Sequence, residues 1–352
     1  MIFLVTIMST AVLFIPSITV EKAKQCAWLA VLLSMSAGLI CLGLANALGK
    51  RFPQQTLVQY CELLLGKYIG KAVAVGFFLY LFVVNNIVTR EFSDYINIVL
   101  MPETPIMVLN GLLAVIAVYA AAKGLEVIAR VAQFILPLFL GSIIIIIGLG
   151  LLEAQPGKLL PLLENGPGPV ISGALEPATL IGQIIILTMI FPMINLPQRA
   201  VKEGIIAIVW IGVLLTSLTA VTISVFGPIL PGDQLFPFVT LAKHIKFTTI
   251  QRLEFLVIFI WVSGIVVKVS IFFYLESVAI KQIFGLQNNI IIFGFLIVSH
   301  TLLSTLPFNN PQETNFVLSN FWPPFALVFE FFVPAGLLAI AIIRGKKVVL
   351  RK

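Results

Sequence analysis

Charge is scarce in this chain. Of its 352 residues only 11% are Asp, Glu, Lys or Arg, while 60% are hydrophobic. Mean hydropathy is +1.10. A soluble domain carries about 25% charged residues to keep its surface in water, so that class is excluded. Cysteine and histidine are equally sparse, at three and two residues. Cys26, Cys41 and Cys61 cannot all pair, and none stands in a C-x-x-C or Cys/His ligand spacing, which argues against disulfides and a structural metal. His244 and His300 lie far apart with no second histidine beside either. Each reads as a lone polar side chain near a helix end. No phosphate-loop, H-E-x-x-H or G-x-S-x-G motif is present, and the few carboxylates fall mostly in loops, so neither an enzyme nor a cofactor is expected. An arginine-rich stripe with interleaved aromatics is also missing, which removes nucleic acid as a partner despite the net charge of +7.

Long apolar runs are abundant. Crossing about 30 Å of hydrocarbon takes about 20 helical residues. Runs of that kind lie near 1–20, 26–48, 72–100, 105–122, 127–152, 173–195, 204–228, 253–276, 289–306 and 321–343. They are too long and too uniformly apolar for barrel strands, so an all-α polytopic membrane protein with ten transmembrane helices is expected, forming one integral membrane domain over 1–352. The first run is read as a retained span rather than a signal peptide, because no basic residue precedes it. Of the 22 Lys and Arg residues, fourteen fall in the connections on the side of both termini and six on the other side, with Arg90 and Lys268 inside spans. The positive-inside rule then places both termini in the cytoplasm, with the basic flanks against anionic lipid. Between the second and third runs, "QQTLVQYCELLLGKYIGK" has the apolar spacing of a short helix lying on the cytoplasmic surface.

Ten spans divide into five and five, which gives inverted repeats over 1–152 and 173–343. The first span of each half carries a breaker. Pro16 follows Ser9 and Thr10 in "MSTAVLFIPSITV", and Gly182, Gln183 and Pro192 interrupt "PATLIGQIIILTMIFPMIN". Proline forbids a normal turn behind it, and breaks at matching places in two repeats point to a midplane site where unwound backbone meets a ligand. Helices 1 and 6 are therefore expected to be interrupted.

Three charged features stand out. Arg90 and Asp94 share a helix face at i, i+4 near the outer end of the long third span and read as a vestibule pair, or simply as a wet ion pair. Glu126 and Arg130 form a similar pair at the cytoplasmic end, read as structural or as a subunit contact rather than as ligand-binding. Lys268 stands alone in "SGIVVKVSIFF", seven residues from Leu275. Its side chain reaches about 6 Å against about 10 Å of remaining helix, so snorkelling to water is strained. Such a group needs a partner, a cavity or a lost proton.

Four strings, "AWLAVLL" at 27–33, "AAAKGLEVIARVAQFILPL" at 120–138, "PLLENGPGPVISGAL" at 161–175 and "QRLEFLVIFIWVSGIVVKVSIFFYLES" at 251–277, together resemble the B subunit of bacterial spore germinant receptors. The likeness covers nearly the whole chain. Arg252, Glu254, Trp261 and Lys268 carry its most specific part, while Cys26 departs from the acidic residue usual before the Ala-Trp pair. That family belongs to the amino acid/polyamine/organocation transporter superfamily. The resemblance implies a LeuT-like core of two inverted five-helix repeats and a permease-like germinant-binding subunit in the inner membrane of the spore, acting with A and C subunits. A small solute, expected to be an amino acid, would sit between Ser9, Thr10, Ala11, Val12 and Leu13 on helix 1 and Thr179, Gly182 and Gln183 on helix 6. In the implied arrangement the Lys268 ammonium would take the place of a coupling cation, bonded to carbonyls freed near Ser9 to Val12. The alternative is an autonomous proton-coupled amino acid permease in which Lys268 exchanges its proton.

Overall fold

The computed structural model of the chain describes residues 1–194, 197–244, 253–308 and 310–345, and every regular element among them is helical. In chain order these are α1 (Ile2–Ala23), α2 (Ala27–Arg51), α3 (Leu57–Leu65), α4 (Lys67–Val99), α5 (Ile106–Ala122), α6 (Leu125–Leu152), α7 (Gly168–Gly182), α8 (Leu187–Ile190), α9 (Pro197–Phe226), α10 (Pro237–His244), α11 (Leu253–Phe284), α12 (Asn289–Leu303), α13 (Pro311–Asn320), α14 (Trp322–Leu327) and α15 (Val333–Ile343). Lys246, Arg252, Lys346, Lys347, Arg351 and Lys352, which entered the charge count, lie outside the described residues, as does the Glu254 side chain.

Among the described residues seven stretches are long and apolar enough to cross a membrane: Ile2–Arg51, Lys67–Val99, Leu125–Leu152, Gly168–Met193, Arg199–Phe226, Trp261–Phe284 and Trp322–Ile343. The first contains two helices, because a 3-10 turn at Lys24–Cys26, with Lys24 at φ 47°, separates α1 from α2. The apolar helices α5 and α12 are shorter, at 17 and 15 residues. A lone polar group inside such helices has no water to turn to, so backbone and side chains close their hydrogen bonds locally.

The two breaks expected from proline come out differently. α7 stops at Gly182 and gives way to a 3-10 turn at Gln183–Ile186, the single turn of α8, and a second 3-10 turn at Phe191–Met193 that contains Pro192. Helix 6 is thus interrupted. α1 is not: it runs unbroken for 22 residues with Pro16 inside. Pro16 has no N–H to give the Val12 carbonyl, but loss of one bond does not unwind a helix whose neighbouring turns are held. The Thr19 hydroxyl, for example, donates back to the Ile15 carbonyl at 2.6 Å.

The chain forms two compact units. The first comprises Met1–Ile40, Val131–Gln183 and Glu203–Ile265; the second comprises Cys41–Arg130, Ile184–Lys202 and Val266–Lys352. Each draws on both sequence halves. In the first unit α1 packs along α7. Small residues permit the approach: a Cβ on Gly173 would stand 3.2 Å from Ala23 Cβ and 3.4 Å from Ala30 Cβ. Val20, Ala23, Cys26, Ala27, Ala30, Val170, Ala174 and Ile223 close the core there.

In the second unit α3 is the short amphipathic helix expected between the second and third runs. Thr56 caps it, accepting from the Gln59 N–H while the Gln59 side chain accepts from the Thr56 N–H. Its apolar face lies on α4, where Gly70 leaves room for the α3 backbone. Two further short helices were not expected from the apolar runs. One is α10; the other is α13, started by Asn310 accepting from the Glu313 N–H at 2.9 Å.

Candidate functional site

The residues expected to hold a solute fall together in the first unit. Ser9, Thr10, Ala11, Val12 and Leu13 are each no more than 1% exposed, and Thr179, Gly182 and Gln183 are buried at the end of α7. The surroundings are closed. Ser9 donates to the Thr6 carbonyl at 3.0 Å, and its Cβ stands 2.9 Å from where a side chain on Gly264 would begin. Thr179 donates to the Glu176 carbonyl at 2.8 Å. Gln183 differs from these. Its side chain is 2% exposed, yet Oε1 has no hydrogen-bond partner among the described residues. The Thr6 and Thr219 hydroxyls, both 0% exposed, are in the same condition. Buried polar atoms left unbonded are costly, by about 1–3 kcal/mol each.

A cavity of about 310 Å³ in the first unit lies elsewhere, at the α1–α2 turn, lined among others by Lys22, Lys24, Gln25, Glu164 and Asn165. Gln25 ties the 161–164 loop there by donating to the Pro161 carbonyl at 3.1 Å and to Glu164 Oε2 at 3.2 Å. Lys22 faces the buried Glu176 at 3.9 Å. Lys22 and Lys24 entered the sequence reading only through the charge count, and Gln25, Glu164, Asn165 and Glu176 were given no role of their own.

Lys268 belongs to the second unit and is 0% exposed. Within that unit it interacts electrostatically with Glu91 and Glu330, which are 3% and 1% exposed. Glu330 lies in a π-helical turn, Val328–Phe332, and accepts from the Tyr80 hydroxyl at 2.6 Å. Such turns leave a local irregularity in the backbone and recur at functional sites. The ammonium therefore has carboxylate partners that the sequence reading did not supply.

Arg90 and Asp94 do pair, at 2.8 Å, but the pair is buried rather than wet, at 1% and 5% side-chain exposure. Arg90 Nη1 donates to the carbonyls of Thr305 and Phe308 at 3.2 and 3.0 Å, and Thr314 donates to Asp94 at 3.3 Å. The pair thus binds α4 to the end of α12 and to α13, rather than lining an open vestibule. Glu126 and Arg130 meet at 2.6 Å with more than three quarters of each side chain in the open, as a solvated pair.

Both histidines have carboxylate neighbours, which corrects the expectation of lone side chains. His244 faces Glu153 at 3.1 Å near the surface of the first unit. In the second unit His300 faces Glu276 at 3.4 Å with neither exposed. The expectation of carboxylates mostly in loops fails for Glu91, Glu276 and Glu330. Each stands inside an apolar helix, and that placement was the available signal, because an acid in such a run must find a partner.

A family model described as "Spore germination protein" matches residues 1–313. Among curated proteins the chain is 27% identical to spore germination protein KB of Bacillus subtilis (strain 168), over 89% of this chain and 87% of that one. It is 24% identical to spore germination protein YndE of the same organism, over 95% and 92%. To spore germination protein XB of Bacillus anthracis it is 23% identical, over 96% and 94%. Two solved transporter structures share its fold. MhsT in complex with L-phenylalanine superposes with a TM-score of 0.64 at 16% identity, covering 97% of each chain. A sodium-coupled sialic acid symporter superposes with a TM-score of 0.52 at 10% identity, covering 93% of this chain and 77% of that one.

Proposed function

Because this chain belongs to the spore germination protein family, we propose that it is the germinant-sensing membrane subunit of a spore germination receptor. A small solute, an amino acid in the simplest case, binds between Ser9–Leu13 of α1 and Thr179, Gly182 and Gln183 at the end of α7. Occupancy biases the conformation that the chain presents to receptor A and C subunits in the inner membrane of the spore. The observation that carries this reading is the stop of α7 at Gly182 inside a buried, apolar region, with Gln183 Oε1 unbonded just beyond it. A helix end offers peptide dipoles to a zwitterion, and an unbonded side-chain oxygen offers an acceptor for its ammonium. The LeuT-type fold shared with MhsT, whose structure holds L-phenylalanine, agrees with a solute of this class. The packed state around Ser9 means that binding has to be accompanied by opening.

The test is the dose–response of spores carrying Ala11→Phe or Gly182→Val. Both fill buried positions at the site. The germinant concentration for half-response is expected to rise at least tenfold while receptor level is kept. An unchanged dose–response with normal receptor level overturns the site.

The buried set Lys268, Glu91 and Glu330 favours a second reading, an autonomous proton-coupled permease, since ionisable groups inside a membrane often carry the coupling proton. Vesicles containing this subunit alone decide between the two. Concentrative uptake of labelled amino acid driven by a proton gradient establishes the permease, and its failure alongside intact equilibrium binding leaves the sensor.

A further inference from the structure

The second unit contains a histidine and a glutamate that no solute-binding role requires. His300 on α12 and Glu276 on α11 are both 0% exposed. His300 is held by Phe82 of α4 and Phe273 of α11, with ring centroids 4.4 and 4.6 Å away. Its Nδ1 lies 3.1 Å from the Leu296 carbonyl, whereas its Nε2 stands 3.4 Å from Glu276 Oε1 without hydrogen-bond geometry and has no hydrogen-bond partner among the described residues. Asn85 of α4 donates its Nδ2 to that same oxygen at 3.0 Å. Glu276 Oε2 has no partner among the described residues.

Hydrogen counting constrains this arrangement. The Leu296 carbonyl only accepts, so Nδ1 carries a hydrogen in the bonded state. Nε2 then faces a carboxylate oxygen, which also only accepts when ionised. A neutral ring opposite an ionised carboxylate sets two lone pairs against each other, and moving the ring hydrogen to Nε2 merely transfers the conflict to Leu296. One additional proton removes it, as imidazolium with carboxylate or as imidazole with carboxylic acid. The same proton takes the pair from one net negative charge to none, which matters where no water screens it.

The surrounding groups do not supply a substitute. α4 presents Asn85 to the pair and carries Arg90 and Glu91 further along, where Arg90 is engaged by Asp94 and the α12-end carbonyls. α11 carries Lys268 two turns before Glu276, where it interacts electrostatically with Glu91 and Glu330. α5, which packs on the other side of α12, presents Asn110 to Thr305 and has no ionisable side chain among its buried residues.

We propose that His300 and Glu276 form a proton-binding site inside the membrane-spanning part of the second unit, whose occupancy holds α12 against α4 and α11. Glu276 is eight residues, or about 12 Å, before the end of α11, and His300 is eleven residues, or about 16 Å, after the start of α12. Both fall near mid-depth of a hydrocarbon layer of about 30 Å. The proposal is independent of where a solute binds in the first unit. Loss of the proton restores the acceptor–acceptor conflict and loosens α12, and its return locks the contact.

Full-length protein in lipid nanodiscs with ring-nitrogen-labelled histidine provides the test. The chain has only two histidines, so a His244→Gln sample assigns the spectrum. Two results support the site at neutral pH: a His300 ring protonated at both nitrogens, or a neutral ring together with a protonated-carboxyl infrared band that Glu276→Gln removes. A neutral ring with no such band overturns it. Coupling is read by hydrogen exchange of α12 amides, measured relative to α5 to remove the intrinsic effect of pH. Relative protection of α12 is expected to fall in the wild type as pH rises. In Glu276→Gln, whose amide donates permanently to Nε2, it is expected to stay at the acid level. Identical pH profiles of wild type and variant overturn the coupling. If Glu276→Gln does not fold, the nitrogen and infrared spectra of the wild type decide the protonation: imidazolium, or a neutral ring with a protonated-carboxyl band that shifts in Asn85→Ala, supports the site, and a neutral ring without such a band overturns it.

Discussion

At the scale of single residues, the cost of charge inside an apolar helix governs what can be changed. Lys268 is fully buried with Glu91 and Glu330 as electrostatic partners. Lys268→Met keeps the volume and apolar stem but leaves buried acids without their cation, and an uncompensated buried charge is destabilising. The expected result is normal membrane insertion, a lowered thermal midpoint in detergent and a weakened germinant response. Adding Glu91→Gln should recover part of the midpoint, because it removes one stranded charge. A Lys268→Met protein as stable and as responsive as the wild type would make the lysine dispensable. Lys268 was legible in the sequence because one cation in "SGIVVKVSIFF" is conspicuous. Glu330 in "VFEFF" and Glu276 in "YLES" obey the same rule. Their pairing was not legible, since Tyr80 and Asn85 stand 250 and 191 residues away from the acids they serve.

The same argument applies to Arg90. Its guanidinium gathers the last carbonyls of α12 and the residues after it. Arg90→Leu removes those donors and strands Asp94, so a loss of about 3 kcal/mol or more is expected. Arg90→Lys should not rescue it, because one ammonium cannot span several carbonyls and Asp94 as the planar fork does. Thermal unfolding of the two variants, side by side, checks this.

At the scale of elements, two prolines of similar sequence context behave differently. α1 continues through Pro16, whereas the region around Pro192 follows a helix that has already ended at Gly182. The difference visible in the sequence is the Gly182–Gln183 pair well before Pro192, since no glycine precedes Pro16 in its helix. Breaker residues were visible; whether neighbouring turns hold the helix depends on tertiary contacts that composition does not encode. α3 illustrates a local rule that does carry through, the Thr56–Gln59 capping box. Its Cys61 is a reporter. Burial, with Glu62 beside it, pushes that thiol up to about 12. In the unfolded chain it ionises near 9, so the folded form loses stability as pH rises above about 9, the unfolded state being the one that releases the proton. Thiolate is the reactive species, so Cys61 alkylation should be slow at pH 8. Thr56→Ala removes a cap worth about 1 kcal/mol and should speed Cys61 labelling about fivefold, with Cys26 and Cys41 unchanged. Mass spectrometry of the labelled chain reads the outcome, and equal Cys61 rates in both proteins would mean that the cap does not hold α3.

At the scale of the whole molecule, charge asymmetry makes a claim about orientation that helix packing does not address. Fourteen of the 22 basic residues lie in connections on one side of the proposed spans and six on the other. Anionic lipid and the membrane potential retain such positive flanks on the cytoplasmic face. The α1–α2 turn with Lys24 should then face away from the cytoplasm, and the α5–α6 turn with Lys123 should face it. Both lysines are exposed, and the three native cysteines are buried and free, so single cysteines introduced at these places report against a low background. Lys24→Cys in right-side-out vesicles should react with a membrane-impermeant maleimide, and Lys123→Cys should react only after the vesicles are opened. The reverse pattern would invert the whole molecule and place the cavity beside Lys24 on the cytoplasmic side. Reaction of both without opening would instead remove at least one crossing between residues 24 and 123. The same pair of labels therefore tests orientation and the parity of the helix count, which the lengths of α5 and α12 alone do not fix.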